Sequence, residues 1–204
     1  MKEKRAIVTA FRSFPGVGEN PSERLLKYLQ ENTGLLHQSA DLQLLETAYA
    51  AIQPARDAIL ADPPDILVML GYSAMANGFK LECRATSLCS PTFSDARGFR
   101  PEQSDDPPDL LHNDTLDFGA LAADLNQAGL PAHLSDNAGA YVCNHAYYSV
   151  LSHIAEQKLQ TRAIFVHIPA ISGSALAPIS KSSMELADLA RGVGVITRHL
   201  AEDD

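Results

Sequence analysis

The chain has no tryptophan and only three cysteines, Cys83, Cys89 and Cys143. An odd, low cysteine count does not describe a disulfide scaffold. Cys83 and Cys89 stand too far apart for a CxxC pair, and no histidine pair completes a zinc set, so no metal site is expected. Basic side chains are in deficit: 16 Lys and Arg stand against 25 Asp and Glu, for a formal net charge of -9. That balance argues against a nucleic-acid partner, which needs a basic stripe to neutralise phosphates, and against adhesion to an anionic membrane. No apolar run approaches the ~20 residues of a membrane span. The first apolar run, Ala6 to Phe11, is too short for a secretory signal and is interrupted by Arg12. The expected location is a reducing cytoplasm.

What is present suffices for a core. Hydrophobic residues make up 46% of 204 residues, enough for one large domain spanning 1–204. The pattern alternates. Arg5–Phe11 reads as a first strand, and Asn20-Pro21-Ser22 opens an amphipathic helix ending at Gly34. Gln43–Glu46 suits a second strand and Ala48–Leu60 a second helix. Asp65–Leu70 is the clearest buried strand and ends at Gly71, as strands feeding a site at their carboxyl ends often do. Phe79–Leu88 reads as extended. Ser90–Pro108 is a long proline-bearing loop, and long loops in compact domains tend to be functional. Asp114–Ala128 predicts a helix, Ala132–Leu134 a strand, Asp136–Gln157 a segment containing a helix, Ala163–Ile168 a strand and Ser182–Leu200 a final helix. Strands alternating with helices imply an α/β sandwich with helices on both faces of the sheet.

Cys143 follows Ser135-Asp136-Asn137-Ala138-Gly139-Ala140-Tyr141-Val142 and falls early in a helix. Helix dipole and free N–H groups at such a place favour a thiolate and an oxyanion. The same context also suits a buried structural cysteine, and locally the two readings stand side by side. His145, two residues on, points away from Cys143 on a helix and reads as structural. His167 ends the strand Ile164–Ile168, where a side chain reaches the sheet edge; an ordinary core histidine is the alternative. His37, His112, His133, His153 and His199 have surface-like contexts. A nucleophile–histidine pair needs a third group to orient the imidazole. Glu82, in an extended segment with apolar neighbours, is a candidate that nothing local distinguishes from a solvated glutamate.

Taken in order along nearly the whole chain, these segments resemble pyroglutamyl peptidase I, the pyrrolidone-carboxylate peptidase family of cysteine peptidases. Thr9-Ala10-Phe11-Arg12-Ser13-Phe14 with Asn20-Pro21-Ser22 resembles the family's TGFEPF…NPS opening. Leu70-Gly71 through Glu82 resembles the segment carrying the catalytic glutamate, and Ser94-Asp95-Ala96-Arg97 its DAR loop. Ala138–His145 is similar to the AGTYxCNH nucleophile motif, and Phe165–Pro169 to FIHIP.

The resemblance implies a three-layer αβα sandwich with a twisted mixed sheet. It implies Cys143 as nucleophile, His167 as general base and then acid, and Glu82 as the residue orienting His167. The implied reaction removes an N-terminal pyroglutamyl residue from a peptide through a thioester acyl-enzyme, with no metal or organic cofactor. Phe11 and Phe14 stand where family aromatics sandwich the lactam ring. Assembly as a homodimer or homotetramer is also implied. Departures cluster around substrate recognition: Arg12 replaces a glutamate, Tyr72 to Met75 replace a small stretch, and Cys83 replaces an arginine. Tyr72 is accordingly taken as a substrate-contacting position. Arg84 does not simply replace the arginine, because a one-residue shift along a strand reverses the face. A related cysteine amidohydrolase acting on another small blocked or cyclic N-terminal group stays open as an alternative, as does a catalytically silent homologue. A nucleoside phosphorylase is more remote, since no phosphate-binding glycine loop is evident.

Overall fold

The computed structural model describes residues 4–13, 18–36 and 39–202. Phe14 and His37 therefore lie outside the described residues. Strand β1 (Ala6–Phe11) is buried along its whole length. It leads to Asn20, whose side-chain oxygen accepts from the Ser22 N–H and so caps helix α1 (Pro21–Glu31). Asn at the cap and Pro at the first helical position suit a helix start, because one satisfies an orphan N–H and the other has none to satisfy. The helix stops at Glu31, and a 3-10 turn over Thr33–Leu35 carries the chain past the expected end at Gly34.

The remaining elements follow in order: β2 (Ala40–Leu45), α2 (Tyr49–Leu60), β3 (Ile66–Tyr72), β4 (Phe79–Glu82), β5 (Arg84–Thr86), β6 (Leu110–His112), α3 (Phe118–Gln127), β7 (Ala132–Ser135), α4 (Val142–Gln157), β8 (Arg162–Ile168), β9 (Ala170–Ile171), β10 (Ser183–Met184) and α5 (Leu186–Glu202). The extended segment expected over Phe79–Leu88 is broken at Cys83. Its two halves join different sheets, because the Cys83 N–H bonds to Ser135 O while its carbonyl accepts from the Asn113 N–H. The last helix begins at Leu186, since Ser183 and Met184 pair with Ala170 and Ile171 instead. β6 was not anticipated; its three residues carry too little periodicity to separate them from the long loop.

The main sheet has six strands in the order β2-β1-β3-β8-β4-β7. β2, β1, β3 and β8 are mutually parallel. β4 enters antiparallel to β8 and is itself parallel to β7, so the sheet is mixed. One face is covered by α1, α3 and α5 through Leu25, Leu29, Leu121, Leu125, Leu189 and Ile196. The other is covered by α2 and α4 through Ile52, Ile59, Val142, Ala146, Tyr147 and Val150. This is the expected three-layer αβα sandwich. Each fully buried Leu or Ile contributes roughly 1.5–3 kcal/mol, so the two apolar faces supply the main driving force. Gly192 lets α5 seat closely: a Cβ there would stand 2.0 Å from the Phe79 ring. Among the described residues no helix is long and apolar enough to cross a membrane.

Candidate active site

Side chains alternate across a strand, so cross-strand partners share a face. β3, β8, β4 and β7 use this rule to build one row. Gly71 is the partner of His167, His167 of Lys80, and Lys80 of His133. One step down lie Met69, Phe165, Glu82 and Ser135. Met69 and Phe165 belong to the core under α2 and α4, so both rows point to that layer.

Within the rows, His167 Nδ1 stands 2.7 Å from Glu82 Oε1. The glutamate is completely buried and His167 is 5% exposed. A carboxylate accepts, so the contact suits a donor N–H at Nδ1 and leaves Nε2 as the ring nitrogen not engaged by Glu82. The backbone of Glu82 is held as firmly as its side chain. Tyr147 Oη donates to Glu82 O at 3.0 Å, and Asn113 Nδ2 donates to Tyr147 Oη at 2.8 Å and to Ala163 O at 2.7 Å.

Cys143 is the second residue of α4 and approaches the same rows from above. A Cβ built on Gly71 would stand 3.1 Å from Cys143 Sγ and 2.9 Å from the Phe165 ring. The thiol therefore lies over the Gly71–His167 pair, and only glycine leaves room for it. The first intrahelical bond of α4 is from His145 N–H to Tyr141 O. The N–H groups of Val142, Cys143 and Asn144 precede it and point out of the helix start beside the thiol. Tyr141 occupies the cap position without a side-chain cap bond, so the polar residues before it do not act as the expected cap.

The thiol differs from expectation in one respect. Burial first, and then the charge of Glu82, push its pKa up to about 12, with only its own backbone N–H pulling downward. The helix start does not outweigh these two effects, although Cys143 as a whole residue is only partly buried. Burial and the Glu82 charge thus favour the thiol over the thiolate at Cys143.

The walls come from segments whose sequences were informative without revealing their roles. Asn144 Oδ1 accepts from Thr86 N–H at 3.0 Å and its Nδ2 donates to Thr86 O at 2.9 Å, locking β5 against α4. Asp95, 5% exposed, accepts from the backbone N–H groups of Tyr49, Arg97 and Phe99. Tyr141 Oη donates to Ser94 O at 2.9 Å, so the DAR loop braces the residue just before α4. Tyr49 stacks edge-on against Tyr141 and His145. His145 Nδ1 lies 3.7 Å from Cys89 Sγ.

The sequence candidates divide accordingly. Cys143, His167 and Glu82 converge. Phe11 lies on the same face, 1% exposed, with its ring 6.3 Å from Phe165. Tyr72 does not join them. It pairs with Ile168 on the opposite parity and its hydroxyl lies 2.7 Å from Ser180 Oγ. Arg84 turns away to bond Asp136 O. His199, read as a surface residue, instead meets Asp124 at 2.7 Å between α5 and α3. Lys80 was missed. Its Nζ stands 3.0 Å from Glu82 Oε1, and the i, i+2 spacing on a strand was the signal that put both on one face.

A family model described as pyroglutamyl peptidase matches residues 4–202. A pyrrolidone-carboxylate peptidase of Gloeobacter violaceus is 31% identical over 202 residues, covering 98% of each chain. One from Vibrio vulnificus is 30% identical over 197 residues, covering 93% of this chain and 89% of its own. Pyroglutamyl peptidase I of Bacillus amyloliquefaciens, a crystal structure, has a TM-score of 0.85 at 26% identity over 99% of both chains. With a match of this extent laid over a buried Glu–His pair beneath a helix-start cysteine, the chain belongs to the pyroglutamyl peptidase family.

Proposed function

We propose that this protein is a cysteine peptidase that removes N-terminal pyroglutamyl residues from peptides, with Cys143 as nucleophile, His167 as base and acid, and Glu82 as the orienting carboxylate. The observation that carries the reading is the 2.7 Å Glu82–His167 contact directly beside the Gly71 site over which Cys143 Sγ lies.

The reaction proceeds as acyl transfer. His167 Nε2 takes the thiol proton as sulfur attacks the pyroglutamyl carbonyl, so no standing thiolate is required. The N–H groups opening α4 receive the developing oxyanion. The C–N bond breaks, the amine leaves with the proton from His167, and a thioester remains on Cys143. A water activated by His167 then releases pyroglutamate and restores the thiol. None of these steps calls for a metal or organic cofactor.

Phe11 forms the apolar floor beside Phe165 against which a neutral lactam ring fits, and family resemblance assigns Phe14 to the substrate contacts as well. Tyr72 acts at one remove, ordering the strand end through Ser180. The chain works as one domain in the cytoplasm on a blocked peptide, with homodimer or homotetramer as its assembly.

Hydrolysis of a pyroglutamyl-arylamide by wild type and Cys143→Ala, side by side, tests the reading. Turnover by the wild type and none by the variant is expected. An inert wild type that cleaves a different blocked aminoacyl-arylamide reassigns the substrate. Inertness toward the whole panel removes the peptidase reading.

A further inference from the structure

We infer that Lys80 is a positioning residue of this site: it supplies the counter-charge for the buried Glu82 and ties that carboxylate to the loop entering the nucleophile helix. Lys80 Nζ stands 3.0 Å from Glu82 Oε1, the same oxygen that meets His167 Nδ1 at 2.7 Å. It also donates to Asn137 O at 2.7 Å. Asn137 belongs to the short segment between β7 and Cys143, and its side chain holds the Gly139 N–H at 2.9 Å. One ammonium thus joins the acid of the triad to the segment that aims the nucleophile.

The inference stands on the electrostatics of a closed space. Glu82 has no solvent exposure, and its Oε2 is buried without a hydrogen-bond partner. Burying a carboxylate is costly unless a cation and hydrogen bonds compensate it. The neighbouring groups are few. From β8 comes His167, and from α4 the Cys143 thiol. From β7 comes His133, the cross-strand partner of Lys80, which feels Lys80, Lys181 and Glu82 together. Cys83, the residue that follows Glu82 at the end of β4, feels both Asp136 and Glu82. Lys181, before β10, acts on His133. Arg84 is committed to Asp136 O. Lys80 is the ammonium in contact with the carboxylate.

Without that ammonium, Glu82 acts on Cys143 as an uncompensated anion. Its charge already opposes thiolate formation. The opposition grows, and the carboxylate loses the partner that fixes the oxygen presented to His167. Lys80 reaches no reacting atom, so its removal falls on kcat and on thiol reactivity rather than on substrate affinity. The kcat arm of the test rests on the peptidase reading above, whereas the alkylation arm does not depend on any substrate.

The test compares wild type, Lys80→Met, Lys80→Arg, Glu82→Gln and the Lys80→Met/Glu82→Gln double variant. Each is followed by iodoacetamide alkylation of Cys143 at fixed pH, by kcat and KM on the pyroglutamyl-arylamide, and by thermal unfolding. Lys80→Met is expected to slow alkylation and kcat by about tenfold or more, with KM within about twofold. Lys80→Arg, which keeps the charge, is expected to restore most of the rate. In the Glu82→Gln background the Lys80→Met effect should shrink to about twofold or less, because the anion it balances is gone. Wild-type alkylation by a folded Lys80→Met overturns the inference, and so does an equal loss in both backgrounds. If wild type fails to turn over the arylamide, the peptidase reading fails while the alkylation cycle still decides the role of Lys80. If Lys80→Met does not fold, a folded Lys80→Arg variant alkylating about tenfold or more slower than wild type overturns it.

Discussion

Glu82 reaches His167 because β4 runs antiparallel to β8, which sets Lys80 opposite His167 and Glu82 one step down, opposite Phe165. The carboxylate then spans one diagonal of the ladder, 2.7 Å from Nδ1, across 85 residues of sequence. Strands rather than loops carry both groups, so the geometry is as rigid as the sheet.

Replacing that carboxylate by an amide removes its charge while nearly keeping its shape. Glu82→Gln is expected to lower kcat by about 10^2- to 10^4-fold, since an amide no longer enforces the Nδ1–H tautomer or stabilises the imidazolium. KM should change little. Steady-state kinetics on the pyroglutamyl-arylamide decide this, and a loss smaller than about fivefold would show that Glu82 does not orient the base.

Gly71 is the position where the sheet makes room for sulfur. Gly71→Ala places a methyl 2.9 Å from the Phe165 ring and 3.1 Å from Cys143 Sγ. Phe165 is fully buried, so the expected cost is about 1–3 kcal/mol of stability. Displacing the thiol is expected to cost about tenfold or more in kcat. Urea unfolding and the arylamide assay read the two effects separately, and wild-type values in both would contradict the packing described.

The thiol links stability to pH in the alkaline range. Its pKa rises from about 8.5 in an unfolded chain to about 12 in the folded one, through burial first and Glu82 second. Between those values the native state retains a proton that the unfolded state has released. Stability is therefore whole below about pH 8.5 and falls as pH climbs toward 12. Tyr141, also raised to about 12 by burial, adds the same sign at higher pH. Urea midpoints measured from pH 7 to 10 should decline for wild type and decline less for Cys143→Ala. Equal slopes would mean that the sulfur is not buried as a thiol.

Asp95 concentrates three backbone donors, at 3.0 Å from Tyr49 and at 2.9 Å from Arg97 and Phe99. Asp95→Ala leaves those donors without their acceptor, and the cost is expected to be roughly 2 kcal/mol or more. The loop it organises braces Tyr141 ahead of the nucleophile, so kcat/KM should fall as well. Thermal unfolding and kinetics measured together test this, and unchanged stability would show that the loop is held by other contacts.

Much of this site was legible in the sequence because its parts lie in short local patterns. Small residues before Cys143 announce a helix start, and a β-rich run ending at His167 announces a strand terminus. Glu82 was not legible from its surroundings, since a glutamate flanked by apolar residues on a strand looks the same whether it faces solvent or a histidine. Lys80 was hidden for the same reason: its role exists only through Glu82, Asn137 and the register to β8. The face that Tyr72 takes was likewise hidden, since only its pairing with Ile168 shows it.

The sequence by itself determined the layer architecture, through alternating strand and helix periodicities, and the motifs around Cys143, His167 and Glu82 whose family resemblance implies their roles. Tertiary structure alone decided that β4 inserts between β8 and β7 in reverse direction to β8, that Gly71 opens the space for sulfur, and that burial and Glu82 act together on the thiol. The physical reason is one of range. Periodicity reports which face of a single element is apolar, whereas register, burial and the charge at a sulfur depend on partners distant in the chain.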